Sequence, residues 1–475
     1  MDETIAKRRS FIGTETVVIG DGSSRLSAVI FFLLCFVPVF STIMFGAVDN
    51  ATWVLISIFW VLIVLLWLAE TWKADGFLFS SSSLQIPLIG FLLIGLVQLL
   101  PLGGADAGDL LGIPVSKALS LDPYSTRFFV VKLVVYAVFF SACLAFVNNE
   151  RRLKRAAYLI VIFGALMAFF GILQRLANPD GIYGVRETRQ AIPFGPFVNQ
   201  HHFATFMQMT AGLTLGLLFG ENTSKERKIL LATAVVVMGV ATVLTGSRGG
   251  LLGFLAVGAF VVLLTFLSGS WSRRKSSSST TGSQSKIALA VGGVALLVVI
   301  LGVVLFIGGN DSLLRGIGAA KADADISSGR MDFWAVALRI FLEHPILGAG
   351  FEAFGVAFTK HDKWSGQFRV EQAHNEYLQT LADAGIAGFI CVVAFIYLLL
   401  KKGLATVTGA VGFRREAAIG ALAGCMGVLV HSFFDFPLRT PSNAFFFLLI
   451  CTIATVSIET EMAAPSRRRH RSTRP

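Results

Sequence analysis

Ala373-His374-Asn375-Glu376-Tyr377-Leu378-Gln379, then Gly385-Ile386-Ala387-Gly388 and an apolar run to Leu400, marks where a long polar stretch of this chain turns back into hydrocarbon. That stretch begins near Gly309 and ends near Asp383. On either side the sequence is almost continuously apolar. Of its 475 residues, 55% are hydrophobic and only 15% charged, with mean hydropathy +0.72. A soluble domain carries about 25% charge, so the deficit predicts an integral membrane protein. His374 then lies beside the bilayer surface, on a segment too polar to cross it.

Runs near the ~20 residues needed to span as a helix occur at 27–48, 52–70, 84–100, 126–147, 156–176, 201–220, 229–245, 250–268, 287–308, 384–400, 413–432 and 441–458. The expected fold is all-α, a polytopic membrane protein of about 12 transmembrane helices with one large outward loop. The expected divisions are a cytoplasmic segment 1–26, spans within 27–308, a lid loop 309–383, further spans within 384–458, and a basic cytoplasmic tail 459–475. Basic residues set the orientation. With both termini inside, the cytoplasmic segments collect Lys7, Arg8 and Arg9; Arg151, Arg152, Lys154 and Arg155; Arg273, Arg274 and Lys275; Lys401, Lys402, Arg414 and Arg415; and Arg467, Arg468 and Arg469, as the positive-inside rule demands. The net charge of +11 is therefore topology, and a nucleic-acid partner is not expected. The polar N-terminal segment and the length of the first run predict an uncleaved start rather than a removable signal. Cys35, Cys143, Cys391, Cys425 and Cys451 all fall inside expected spans, which predicts neither an exported disulfide nor a zinc site.

Segment 271–286, rich in Ser with Arg273-Arg274-Lys275, reads as a cytoplasmic linker. Inside the outward loop, Phe333, Trp334, Val336, Ala337, Ile340 and Phe341 recur near helical spacing, predicting a helix over Met331–Glu343. His344-Pro345 and Gly348-Ala349-Gly350 stop it. A second helix is expected from about Gln372 to Asp383. The two amphipathic helices would form a lid at the membrane surface.

His374 titrates near neutral pH and can take a proton from a hydroxyl; its plainer alternative is an interfacial or capping histidine. Asn375 and Gln379 share a helix face and could bond it or a sugar. Arg248, in Thr245-Gly246-Ser247-Arg248-Gly249-Gly250, offers a planar fork suited to phosphate oxygens beside glycines that allow close approach; otherwise it snorkels to the interface. Arg186, Arg189, Arg330 and Arg339 are further outward arginines, each of which could equally be a solvated charge. Asn199, His201 and His202 open the sixth expected span, while His431 and Asp435 close the eleventh. Their residue types could ligate a metal, but no tight ligand spacing supports it, so hydrogen bonding between helices is the expectation and neither metal nor cofactor is predicted. Lys132, inside the fourth span, needs a partner or a route to the interface.

Taken together, these segments resemble the O-antigen ligase/polymerase superfamily of bacterial envelope glycosyltransferases. The resemblance rests on His374-Asn375, nine residues, then Gly385-x-x-Gly388; on Gly329-Arg330 before Phe333-Trp334; on His344-Pro345-Ile346-Leu347-Gly348-Ala349-Gly350; and on Thr245 to Gly250. Phe197-Val198-Asn199 with His202-Phe203-Ala204, and His431-Ser432 with Asp435, are also similar. It covers about residues 190–445; the first four spans offer only hydropathy. The resemblance implies a GT-C-like helical glycosyltransferase of the bacterial inner membrane with a periplasmic site. Its donor would be a polyprenyl-diphosphate-linked glycan and its acceptor a glycan or lipid A-core sugar, with membrane lipids and other polysaccharide-assembly proteins as partners. Carried onto this chain, His374 would be the base, Arg248 with one or more of Arg186, Arg189 and Arg330 would hold the diphosphate, and Asn375, Asn199, His202 and His431 would line the substrate site. Metal-independent, inverting transfer is the implied chemistry. The motifs do not separate ligase from polymerase. A small-anion transporter and a non-catalytic scaffold of a polysaccharide machine are the rival readings.

Overall fold

A computed structural model describes residues 24–74, 78–103, 117–178, 181–188, 191–220, 223–274, 329–363 and 369–456. The expected span 287–308, Arg189, most of the serine-rich linker and the basic tail lie outside the described residues. The helices are α1 (Arg25–Ile43), α2 (Asn50–Ala74), α3 (Gln85–Gln98), α4 (Pro123–Phe146), α5 (Glu150–Ala177), α6 (Gln200–Leu218), α7 (Lys225–Leu244), α8 (Arg248–Arg274), α9 (Arg330–Glu343), α10 (Phe354–Thr359), α11 (Glu376–Gly409), α12 (Gly412–His431) and α13 (Pro441–Thr455). A small antiparallel hairpin, β1 (Gly181–Ile182) and β2 (Arg186–Glu187), lies between α5 and α6. The protein is thus a helical, multi-pass membrane protein. Among the described residues, seven helices (α1, α2, α4, α5, α7, α8 and α11) are long and apolar enough to cross a bilayer.

Short polar side chains start several of these helices by accepting backbone N–H bonds. Asp122 caps α4 through Ser125 N at 3.0 Å, ahead of Pro123 in the first turn. Asn149 caps α5 through Arg152 N at 2.9 Å.

The centre of the bundle is less apolar than its rim. In α6 every residue from His202 to Leu217 is buried, including Thr205, Gln208, Thr210 and Thr214. It lies against α12 along a glycine seam: a Cβ on Gly212 would come within 2.6 Å of Gly424 N, and one on Gly216 within 2.4 Å of Gly420 N. Small residues let two backbones meet where lipid supplies no hydrophobic drive between helices.

The long polar loop before α11 is tied to the bundle by a backbone knot. Helix α11 is broken at Gly385 (φ 61°, ψ −160°), beside residues 383–384 where the sequence divides lid from span. The helix expected over Gln372–Asp383 is the first piece of α11: it begins at Glu376, four residues later than expected, and ends at the break, beyond which the second piece runs to Gly409. The chain from Pro345 to Gly350 inserts there: Ala349 N donates to Ala382 O at 2.8 Å, Gly350 N to Asp383 O at 3.0 Å, and Ile386 N to Pro345 O at 2.9 Å. A Cβ on Gly385 would lie 2.4 Å from Ile346 O, and one on Gly348 2.3 Å from Ala384 N, so both glycines are required by close approach as well as by positive φ. Gln98, from α3, completes the knot by donating to Leu347 O and Asp383 O (2.6 and 2.8 Å) and accepting from Phe351 N (3.0 Å). Above it, α9 packs Val336, Ala337 and Ile340 against Phe354, Phe358 and Ala373. Helix α10, within the loop, has no counterpart in the sequence reading.

Candidate functional site

His374 lies two residues before the first residue of α11, with its backbone in the left-handed region (φ 51°), a costly conformation for a residue with a Cβ. Asn375 behind it is the helix cap, accepting from Tyr377 N and Leu378 N, each at 3.1 Å. The cap and the turn aim the imidazole at the segment after α12. There His374 Nδ1 meets Asp435 Oδ1 at 3.1 Å. Asp435 is 1% exposed and His374 30%, so a buried carboxylate holds one edge of a ring whose other edge is accessible. Phe436 meets the ring edge-on at 4.9 Å and Phe333 of α9 stacks at 6.3 Å, which fixes the ring plane from bundle and lid together. Burial works against charge on Asp435. The hydrogen bond with His374 and the nearby His201 and His202 outweigh that and hold its carboxyl well below the usual carboxylate range.

Three further histidines near it are committed to helix contacts. His201 Nδ1 bonds Ser247 Oγ at 2.7 Å, and its backbone N–H donates to Asn199, which caps α6. His202 Nδ1 bonds Thr440 Oγ1 at 2.5 Å, while its Nε2 is buried without a hydrogen-bond partner among the described residues. His431 Nδ1 bonds Thr205 Oγ1 at 2.7 Å and Gln208 Nε2 at 3.2 Å.

The Thr245–Gly250 turn abuts this group. Gly246 has φ 66°, and a Cβ on Gly249 would stand 2.8 Å from His431 Cδ2 and 2.9 Å from Phe434 Cβ. Arg248, the first residue of α8, is exposed at that corner. Arg330 is the first residue of α9, after Gly329 in a left-handed turn (φ 78°), and its charge is felt at His201 and His431. His374, Asp435, His201, His202, His431, Arg248 and Arg330 thus come together at one end of the bundle. Arg186 does not join them directly. It pairs bidentately with Asp49 and lies over the Phe45 ring at 4.8 Å. Among the described residues, no cluster of three or more His, Cys, Asp or Glu is arranged as metal ligands.

Two features escaped the sequence reading. The first is the pairing of Asp435 with His374, 61 residues away, rather than with its neighbour His431, whose ring turns toward α6. The second is a buried charge cluster on Arg439, which approaches Glu352 at 3.2 Å, Glu376 at 3.3 Å and Asp383 at 2.8 Å and is 8% exposed. Burial opposes the charge of Arg439, but Glu376, Glu352 and Asp383 more than offset it and raise its pKa. The electrostatic neighbours of Lys132, left open above, are Glu352 and Arg439.

Residues 233–393 match the family model described as O-antigen ligase. That stretch runs from within α7 to within α11 and contains Arg248, Arg330 and His374. The match supports, for this region, the resemblance to the O-antigen ligase/polymerase superfamily that its motifs carry. No curated protein matches the chain.

Proposed function

We propose that the chain is a membrane glycosyltransferase that transfers or polymerises a polyprenyl-diphosphate-linked glycan at the periplasmic face of the inner membrane, with both termini cytoplasmic. The contact between His374 Nδ1 and buried Asp435 at 3.1 Å carries this reading. A carboxylate at Nδ1 favours the tautomer protonated there, which leaves the Nε2 lone pair as the base.

The acceptor hydroxyl gives its proton to Nε2 as its oxygen bonds to the anomeric carbon of the donor. The bond from that carbon to the diphosphate oxygen breaks, the electron pair leaves on the diphosphate, and the anomeric configuration inverts. Guanidinium groups stabilise the charge that develops on the leaving group. Arg248 and Arg330 suit that role because each opens a long helix, where backbone N–H groups also favour an anion. The fork of Arg186 is taken up by Asp49, which gives it an outer position; Arg189 is proposed as a further cation. Asn375 and Asn199 act through the helix starts they cap, and His202 and His431 through the wall they build beside the base. A scaffold would have no use for an imidazole held this way. A transporter would place its ionisable groups near the middle of the bilayer, whereas His374 lies in the outward loop.

The test is the envelope glycan profile of cells lacking the chain, complemented with wild type or His374→Ala. Single lipid-linked repeats without long chains mark a polymerase. Long chains left on the carrier with bare lipid A-core mark a ligase. A wild-type profile restored by His374→Ala overturns the assignment of the base.

A further inference from the structure

A second compartment lies across the segment 432–439 from the histidine site. Asp435 and Phe436 of that segment contact His374, while Ser432, Leu438 and Arg439 line a cavity of about 210 Å³. Its walls come from α3, α4, α11 and α13 and are almost wholly apolar, with Leu88, Phe91, Leu133, Phe395 and Phe447 among them. The charged residues in that lining are Glu376 and Arg439. Arg439 bonds Asp383 through Nη2 at 2.8 Å. Its Nε and Nη1, and Oε2 of Glu376, are buried without an aligned hydrogen bond among the described residues. Nε and Nη1 keep ion-pair contacts with Glu376 (3.3 Å) and Glu352 (3.2 Å); buried polar atoms are ordinarily hydrogen-bonded, so a ligand head that accepts from the guanidinium and donates to Glu376 Oε2 would complete this side of the cavity. The surrounding charges, Arg439 and Lys132 against Glu352, Glu376 and Asp383, leave no positive surplus for a phosphate.

We propose that this cavity binds the hydrocarbon chain of a membrane lipid with an uncharged hydroxyl or amide head, which accepts from Arg439 and donates to Glu376. The lipid is distinct from the diphosphate donor. Its hydroxyl oxygen takes the N–H of Arg439 and its proton points at Glu376 Oε2. Glu376 is the first residue of α11, two after His374, and its backbone N–H donates to Ser432 O at 2.8 Å. A filled cavity therefore braces both chain segments that carry the His374–Asp435 pair. Binding is independent of the glycosyltransferase reading; only the bracing rests on it.

The test uses the full chain purified in detergent and a long-chain fatty alcohol carrying a photoactivatable diazirine, with adducts mapped by mass spectrometry. Adducts are expected at Leu133, Phe395 or Phe447. Oleyl alcohol should compete at about tenfold lower concentration than oleyl phosphate or a polyprenyl phosphate, the scale of one well-made buried hydrogen bond. Ala444→Trp, which fills the cavity, should remove these adducts; Val392→Phe is the milder filling variant if the first does not accumulate. Glu376→Gln should erase the preference for the alcohol. Adducts scattered over the outer faces of α2, adducts that survive both filling variants, or a preference for either phosphate would overturn the proposal, the last by making the cavity a seat for the donor. Loss of glycan transfer in His374→Ala has no bearing on these adducts, so the two readings fail separately.

Discussion

The two compartments divided by residues 432–439 use charge in opposite ways. On the histidine side the proposed base is partly exposed, one buried carboxylate contacts it, and the rings of His201, His202 and His431 are held by neutral hydroxyl or amide groups. On the arginine side a single, largely buried guanidinium is surrounded by three carboxylates. A reacting group must keep access and a free lone pair. A structural ion cluster needs only mutual compensation, and removing one partner leaves the others buried and unpaired. The difference teaches that charge density marks the frame of this protein and sparse, well-oriented polarity marks its chemistry.

The largest expected effect breaks the frame. Arg439→Ala strands Glu352, Glu376 and Asp383 and should cost about 3–5 kcal/mol, read as loss of folded protein on size exclusion in detergent. His374→Ala, by contrast, should accumulate normally. If Arg439→Ala were as stable as wild type, the cluster would not be the tie between loop and bundle. Next comes the glycine seam. Gly216→Val drives a side chain into the backbone of α12 and should cost about 1–3 kcal/mol of overpacking, measured as a lowered unfolding temperature; an unchanged temperature would mean that α6 and α12 are not in contact there.

On the histidine side, Asp435→Asn should leave the fold in place and lower transfer by up to about 10⁴-fold, the scale of lost tautomer control in a Ser-His-Asp triad. An unchanged rate would reduce Asp435 to a structural contact. The sign of its pH effect is also fixed. Its folded carboxyl titrates below its unfolded value, so the stability it contributes is full above about pH 4 and is lost as pH falls through the folded value; Asp435→Asn should flatten that acid limb. The smallest effect distinguishes Arg248 from Arg186. Arg248→Lys should raise the donor KM and slow transfer, because a point charge does not replace a bidentate fork, whereas Asp49→Asn should change stability by about 1 kcal/mol or less for a partly exposed pair.

Much of this was legible in the sequence because hydrocarbon thickness imposes span length and turn chemistry imposes stops. The helix expected over Met331–Glu343 is α9 (Arg330–Glu343), ended where His344-Pro345 stands. The glycines singled out as Gly385-x-x-Gly388 and Gly348-Ala349-Gly350 turn out to sit on the two sides of one backbone knot, a pairing that no local pattern encodes. The two pieces of α11 follow the sequence division between a helix ending at Asp383 and a span beginning at 384, because Gly385 breaks the helix where the Pro345–Gly350 chain inserts. Asp435 was set beside His431 by adjacency along the chain. The structure pairs it with His374 because Asn375 caps α11 and turns the loop histidine inward. Arg439 was invisible since a lone arginine between two spans reads as an interfacial charge until three distant carboxylates meet it.

The central claim is that His374, held by Asp435, takes the proton of the acceptor. The most direct measurement is the single-turnover rate of glycan transfer from a polyprenyl-diphosphate donor in proteoliposomes, comparing wild type with His374→Ala at matched amounts of folded protein. The account predicts a fall of roughly 10²–10⁴-fold with donor binding retained. Transfer at the wild-type rate would contradict it.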